Sequence, residues 1–211
     1  MQEHIDTLIL DLGGVLIDVD YAGSAKAFAA LGTAGFDELY NKAKQSDLFD
    51  RFETGELPAA GFRDTMRELF SNELSDTQID ACWNAMLGSI APERIALIHA
   101  LKERYQLLLL SNTNSIHVPA FEAIILEENG ISDFKGLFHG AYYSCDLGMR
   151  KPNVDIFHHV LQQHGADASR TLFIDDSPQH VIGARQAGLK AEHLELEKEN
   201  VSTLVRRLGL L

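Results

Sequence analysis

Only two of the 211 residues are cysteine, Cys82 and Cys145, and they stand far apart and outside any CxxC pair. That removes a disulfide framework and a cysteine-rich zinc site, and it implies reduced thiols. Basic residues are also scarce. Eighteen Lys and Arg against 31 Asp and Glu leave a net charge of −13, which argues against nucleic acid or an anionic membrane as partner, since both reward a basic face. The longest aliphatic run, Leu107–Leu110, is far too short to span a bilayer. Residues 1–6 carry no basic segment followed by an apolar one, so no secretory signal is expected and a soluble, cytoplasmic protein is. No internal repeat, low-complexity tract or long linker is visible. The composition that remains, 45% apolar, suits one sizeable core or a core with a modest insertion.

Thr7-Leu8-Ile9-Leu10 is a short apolar run that stops at Asp11, just before Gly13-Gly14. Such a run suits a strand buried on both faces of a parallel sheet. The pattern returns at Leu107–Leu110, ending in Ser111-Asn112, and at Thr171–Ile174, ending in Asp175-Asp176. Helical stretches lie between and after the later runs: Pro92–Arg104, Val118–Glu128, Val154–His164 and Gln179–Ala187. Pro92 suits a first helical turn and Gly188 a helix stop. Alternation of this kind predicts a doubly wound α/β sheet. From Tyr21 to Leu87 the alternation fails, and only amphipathic segments occur, at Tyr21–Leu31, Phe36–Gln45, Ala59–Phe70 and Thr77–Leu87. Ser75-Asp76-Thr77-Gln78 reads as a capping box for the last of them. This block is expected to be a helical insertion, whose Phe49, Phe52 and Trp83 could line a substrate pocket but at helical spacing are read first as its own small core.

In an open α/β sheet, ligands bind beyond the carboxyl ends of the strands. Those ends here offer Asp11, then Ser111 with Asn112 and Asn114, then Asp175-Asp176, while Lys151 precedes Pro152 in a loop. A carboxylate can attack phosphorus and split one difficult displacement into two easier ones. Magnesium takes oxygen ligands, which Asp11, Asp175 and Asp176 can supply. Lys151 would neutralise the phosphate charge, and Ser111 with nearby backbone N–H groups would hold its oxygens. Each feature alone has an ordinary reading as a turn, cap or surface residue; their joint order along the chain does not.

With these residues the sequence resembles the haloacid dehalogenase (HAD) superfamily, whose four motifs read here as LILDLGGVL, LLLLSNTN, MRKP and LFIDDSP. The resemblance implies a Rossmann-like core over residues 1–18 and 89–211 and an all-helical cap of the C1 type over residues 19–88. Within the superfamily, DLGGVL, LSNTN and DLGMRKP look most like bacterial sugar phosphatases, including those acting on α-glucose 1-phosphate. The roles implied are Asp11 as nucleophile and metal ligand, the Gly13 carbonyl as magnesium ligand, and Ser111 and Lys151 as phosphate ligands. Asp176 is implied as a direct metal ligand, with Asp175 bound directly or through water. Asn112, Asn114 and His117 complete the substrate-binding candidates. The expected partner is a small phosphorylated metabolite, for a monomer or homodimer.

One departure stands out. Most HAD phosphatases carry a second Asp two residues after the nucleophile as general acid and base, and Gly13 stands there instead. His117, Asn114, Asp18 or water are the candidates to replace it. Asp18 and Asp20 would lie near the hinge into the cap. Three rivals follow. A dehalogenase would use the same Asp without metal, but Asp175-Asp176 would repel its anionic substrate. A catalytically impaired binding protein would explain Gly13, though not the retained magnesium–phosphate set. A response-regulator-like receiver would need its acidic pair after an early strand, not a late one.

Overall fold

The computed structural model describes residues 4–32, 47–70 and 73–211. At its centre is a five-stranded parallel sheet in the order β3-β2-β1-β4-β5, with β1 Thr7–Leu10, β2 Gln106–Ser111, β3 Gly140–Tyr143, β4 Thr171–Asp175 and β5 Lys190–His193. The central strand pairs in register with both neighbours, Leu8 opposite Leu107 on one side and Leu172 on the other. Its four residues are all buried, because helices cover both faces.

Alternation along the strands sends side chains to two cores. Leu8, Leu10, Leu107, Leu109 and Ile174 pack against α5 (Pro92–Lys102), α6 (His117–Asn129) and α10 (Val201–Arg207). Ile9, Leu108, Leu110 and Phe173 pack against α8 (Val154–His164) and α9 (Pro178–Gln186). Strand and helix periods therefore agree on which residues face inward. Pro92 opens α5, and Gly188, at φ +89°, follows the end of α9.

The sequence pattern finds β1, β2 and β4 but not β3 (GAYY) or β5 (KAEH). These are the two edge strands. Each is short and only partly buried, so neither needs the apolar run that identifies a central strand.

Between β1 and α5 lie α1 (Gly23–Ala30), α2 (Leu48–Glu53), α3 (Ala59–Phe70) and α4 (Asp76–Asn84), with no strand among the described residues of this stretch. The amphipathic segment Phe36–Gln45 lies outside the described residues. Ser75 and Gln78 form the reciprocal capping box of α4. Phe28, Phe52, Phe62, Met66, Ile79 and Trp83 make a third apolar cluster, joined by Ile116 from beyond β2. The outgoing and returning chains run side by side: Asp18 and Asp20 donate N–H groups to Ser89 and Met86, and Gly88 donates back to Asp18. A short segment, α7 (Ser144–Leu147), follows β3. Its Ser144 hydroxyl donates to the Thr113 carbonyl (3.0 Å) and accepts from the Thr113 N–H (2.9 Å), tying down the loop after β2.

Phe157 on α8 is fully buried and meets Phe173 of β4 edge to face at 5.3 Å. Phe157→Ala is expected to lower the unfolding free energy by about 3–5 kcal/mol, read from urea denaturation; a loss under ~1 kcal/mol would mean that α8 is not held by this contact.

Candidate active site

Asp11 follows β1, Ser111 ends β2 and Asp175 ends β4. The strand order turns at β1 and β4, and there parallel strands leave a crevice beyond their carboxyl ends. Lys151 enters it from the loop before α8. Its side chain is 0% exposed, and a buried ammonium is tolerated only when paired and hydrogen-bonded. Its three protons have three acceptors: Asp11 Oδ1 and Asp175 Oδ2, both at 2.7 Å, and the Leu110 carbonyl at 3.0 Å. Asn112 holds the Lys151 backbone from both sides, accepting its N–H and donating to its carbonyl, each at 2.9 Å.

The second acidic residue differs from the first. Asp175 is engaged on both oxygens, by Lys151, by the Ser177 N–H at 2.7 Å and by His180 Nδ1 at 3.0 and 3.1 Å. Asp176 turns to the loop after β1. Gly14 there has φ +72°, and a Cβ on it would collide with the Asp176 carboxylate. Glycine is thus needed both for the backbone and for clearance. His193, ending β5, hydrogen-bonds the Asp176 carbonyl at 2.9 Å.

Charge balance explains the proton affinities. Burial pushes the Asp11 carboxyl up, the neighbouring Asp175 charge adds to it, and together they outweigh Lys151 to reach about 8. Burial works the same way on Asp175, but Lys151 and His180 more than offset it and hold that carboxyl low. Asp176 is raised, first by burial and then by Asp175. Lys151 resists the discharging effect of burial because Asp11 and Asp175 hold its proton.

Above this cluster is a cavity of about 370 Å³ lined by Asp11, Gly13, Ser111, Asn112, Asn114, His117, Asp176 and His180 on the sheet side. Phe49, Phe52, Trp83, Met86 and Leu87 line it from the insertion. Phe52 and Trp83 belong to the insertion's apolar cluster and Phe49 packs on it, so these aromatics serve as local core and as cavity wall together. Asn114 spends its side-chain oxygen on the N–H groups of Ile116 and His117, which starts α6. His117 lies flat against Trp83, 5.3 Å between centroids, with Nδ1 2.7 Å from Asn84 Oδ1. Burial pushes this imidazole down to about 4. It is neutral near pH 7 and has no spare proton to act as a general acid there. Asp18 lies away from the cavity lining and pairs with Arg94 at 2.7 Å.

Three participants escape a reading of the sequence. His180 carries a faint signal, five residues past Asp175 on the first turn of α9. Asn84 carries none, because its contact with His117 spans 33 residues. The third is the pairing of Arg150, next to Lys151, with Glu53 and Asp50 of α2. Asp11, Asp175 and His180 have ligand atoms within 4.8 Å of one another, but hard divalent cations favour oxygen.

Comparison with known proteins agrees with this geometry. Residues 5–188 match the family described as haloacid dehalogenase-like hydrolase. A D-ribitol-5-phosphate phosphatase of Bacteroides thetaiotaomicron is 28% identical over 191 residues, 88% of this chain and 90% of that protein. The sesquiterpene phosphatase astK of Aspergillus oryzae is 30% identical over 194 residues, 88% of each chain. An HAD family enzyme of B. thetaiotaomicron, solved with magnesium and inorganic phosphate, superposes with a TM-score of 0.84 at 33% identity, covering 95% of this chain and 98% of its own. A 2-haloacid dehalogenase of Pseudomonas syringae shares the fold alone, at 21% identity and a TM-score of 0.61. With the family match running from before β1 to the end of α9, the chain belongs to the haloacid dehalogenase-like hydrolases.

Proposed function

We propose that this protein is a magnesium-dependent phosphatase acting on a small sugar or sugar-alcohol monophosphate, with Asp11 as covalent nucleophile. The observation that carries the reading is the buried Lys151 ammonium held between Asp11 and Asp175 at the strand ends, with Asp176 alongside. The donors near Asp11 fit magnesium: Asp11, Gly13 and Asp176 line one cavity and can offer hard oxygens, two carboxylates and a backbone carbonyl. Asp175, already engaged by Lys151 and His180, orients the pair and ligates through water at most. When bound, magnesium screens the anionic nucleophile from the anionic ester.

Asp11 attacks phosphorus, the bond from phosphorus to the leaving oxygen breaks, and an aspartyl phosphate forms. Water then cleaves that acyl phosphate, releasing inorganic phosphate and restoring the carboxylate. Lys151 fixes Asp11 for the attack, and Ser111 with the N–H groups after β2 receives the phosphoryl oxygens. Asn112 acts through Lys151, whose backbone it clamps. Asn114 shapes the start of α6, and His117 meets the leaving group as a neutral hydrogen-bonding wall. With Gly13 in the usual acid position and His117 neutral, the leaving oxygen takes its proton from water. Residues 19–88 act as a cap that excludes bulk water over residues 1–18 and 89–211. The free thiols Cys82 and Cys145 suit a reducing cytoplasm, and no described helix is long and apolar enough to cross a membrane.

The second carboxylate of the acidic pair weighs against carbon–halogen chemistry, because it sets negative charge beside an anionic substrate without metal to balance it. An Asp11→Asn variant is expected to release no phosphate from any monophosphate that the wild type hydrolyses, with an unchanged far-UV circular dichroism spectrum; near-normal release would remove Asp11 from its role.

Metal binding needs the ionised carboxylate. Because Asp11 holds a proton up to about pH 8 without metal, magnesium binding at pH 7 should release a proton. Apparent affinity should then tighten from pH 6 to 8 and level off above. Calorimetry in two buffers of different ionisation enthalpy reads the proton directly, and equal heats in both would contradict the assignment. His117→Ala should lower kcat/KM yet leave the shape of the pH–rate profile between pH 5 and 9 unchanged. Loss of one limb would return the acid role to His117.

A further inference from the structure

We infer that the outer half of the cavity selects a leaving group without negative charge of its own, so that the substrate is the monophosphate of a neutral polyol and not a bisphosphate or a phosphorylated acid. This rests on the phosphatase reading and specifies its substrate class. Among the described residues lining the cavity, Arg150 is the one Lys or Arg side chain. Among the described residues it is the one side chain of this kind that a second anionic group could meet there, since Lys151 is buried and fully engaged.

Arg150 is already neutralised. Its Nε and Nη2 donate to Glu53 Oε2 at 2.9 and 2.7 Å, and its Nη1 lies 2.8 Å from Asp50 Oδ1. All three guanidinium nitrogens are committed, and two carboxylates against one cation leave this rim negative. Further N–H groups of Nη1 and Nη2 remain, but a phosphate or carboxylate that reaches them must sit beside the Glu53 and Asp50 carboxylates, and juxtaposed like charges weaken recognition. Hydroxyl groups meet no such penalty. They can donate to Asp50 or Glu53, while Phe49 and Trp83 line the same cavity with apolar surface.

Glu53 carries more of the effect than Asp50. The Glu53 and Arg150 side chains are 27% and 23% exposed, whereas Asp50 is 61% exposed and its pairing is correspondingly screened. The pairing also joins α2 of the insertion to the residue next to Lys151, so the discriminating charges are set from the phosphate loop itself. Asp50, Glu53 and Arg150 are in this sense specificity residues for the proposed reaction.

The test is kcat/KM for phosphate release from three matched compounds with saturating magnesium: a pentitol 5-phosphate, the 1,5-bisphosphate of the same pentitol, and the corresponding pentonic acid 5-phosphate. The wild type is expected to favour the first by roughly 10²-fold, and Glu53→Gln to shrink that ratio about tenfold, since each tenfold is one like-charge contact of modest size. Arg150→Gln should move the ratio the other way, because it leaves both carboxylates unopposed. Reading ratios removes any general loss of activity from loosened closure. Equal turnover of the three compounds by the wild type would overturn this inference and leave the phosphatase reading standing. So would a ratio unmoved by Glu53→Gln, or moved in the same direction by both variants. Release from none of them by the wild type would overturn this inference, and release from no other sugar monophosphate either would overturn the phosphatase reading as well.

Discussion

Everything in this site is arranged around one buried ammonium. Removing Lys151 from water is tolerable only because Asp11, Asp175 and the Leu110 carbonyl accept its three protons. Those acceptors come from the ends of β1, β4 and β2, so the ion cluster requires the three central strands to be in register. Deleting one partner of such a buried pair typically costs about 3–5 kcal/mol. The sheet and the catalytic cluster are therefore one construction: the strands bring the carboxylates together, and the lysine makes their proximity bearable.

The cluster is left short of positive charge by design of its composition. Three carboxylates, Asp11, Asp175 and Asp176, share one lysine, and burial drives Asp11 to hold a proton when nothing else compensates. A divalent cation held by these carboxylates would supply the missing positive charge and screen the nucleophile from an anionic ester. The outer rim follows the opposite policy. There Arg150 is covered by two carboxylates from α2, so the same cavity attracts a phosphate at its floor and refuses a second anion at its mouth.

The insertion links the two. Its aromatic cluster is large enough to hold α1–α4 together, and Phe49, Phe52 and Trp83 present part of that cluster to the cavity. Trp83 also stacks on His117, the first residue of α6. The contact keeps an imidazole dry, and dryness keeps it neutral.

The sequence alone determined the central strands, four of the five helices that cover them (all but α10), the capping box at Ser75 and the acidic and polar residues that stand at the strand ends. All of these are local or strictly periodic features: apolar runs mark two-sided burial, and the residue that stops a run marks a strand's carboxyl end. It did not reveal β3 or β5, because an edge strand covered on fewer sides needs no apolar run. Only the tertiary structure decided how the acidic pair divides its work, since Asp175 meets Lys151 and His180 while Asp176 turns toward Gly14. It also decided the state of His117 and the pairing of Arg150 with Glu53, contacts 33 and 97 residues apart along the chain. Charge, burial and proton affinity depend on what lies within a few ångströms, and that neighbourhood is set by folding, not by spacing in the chain.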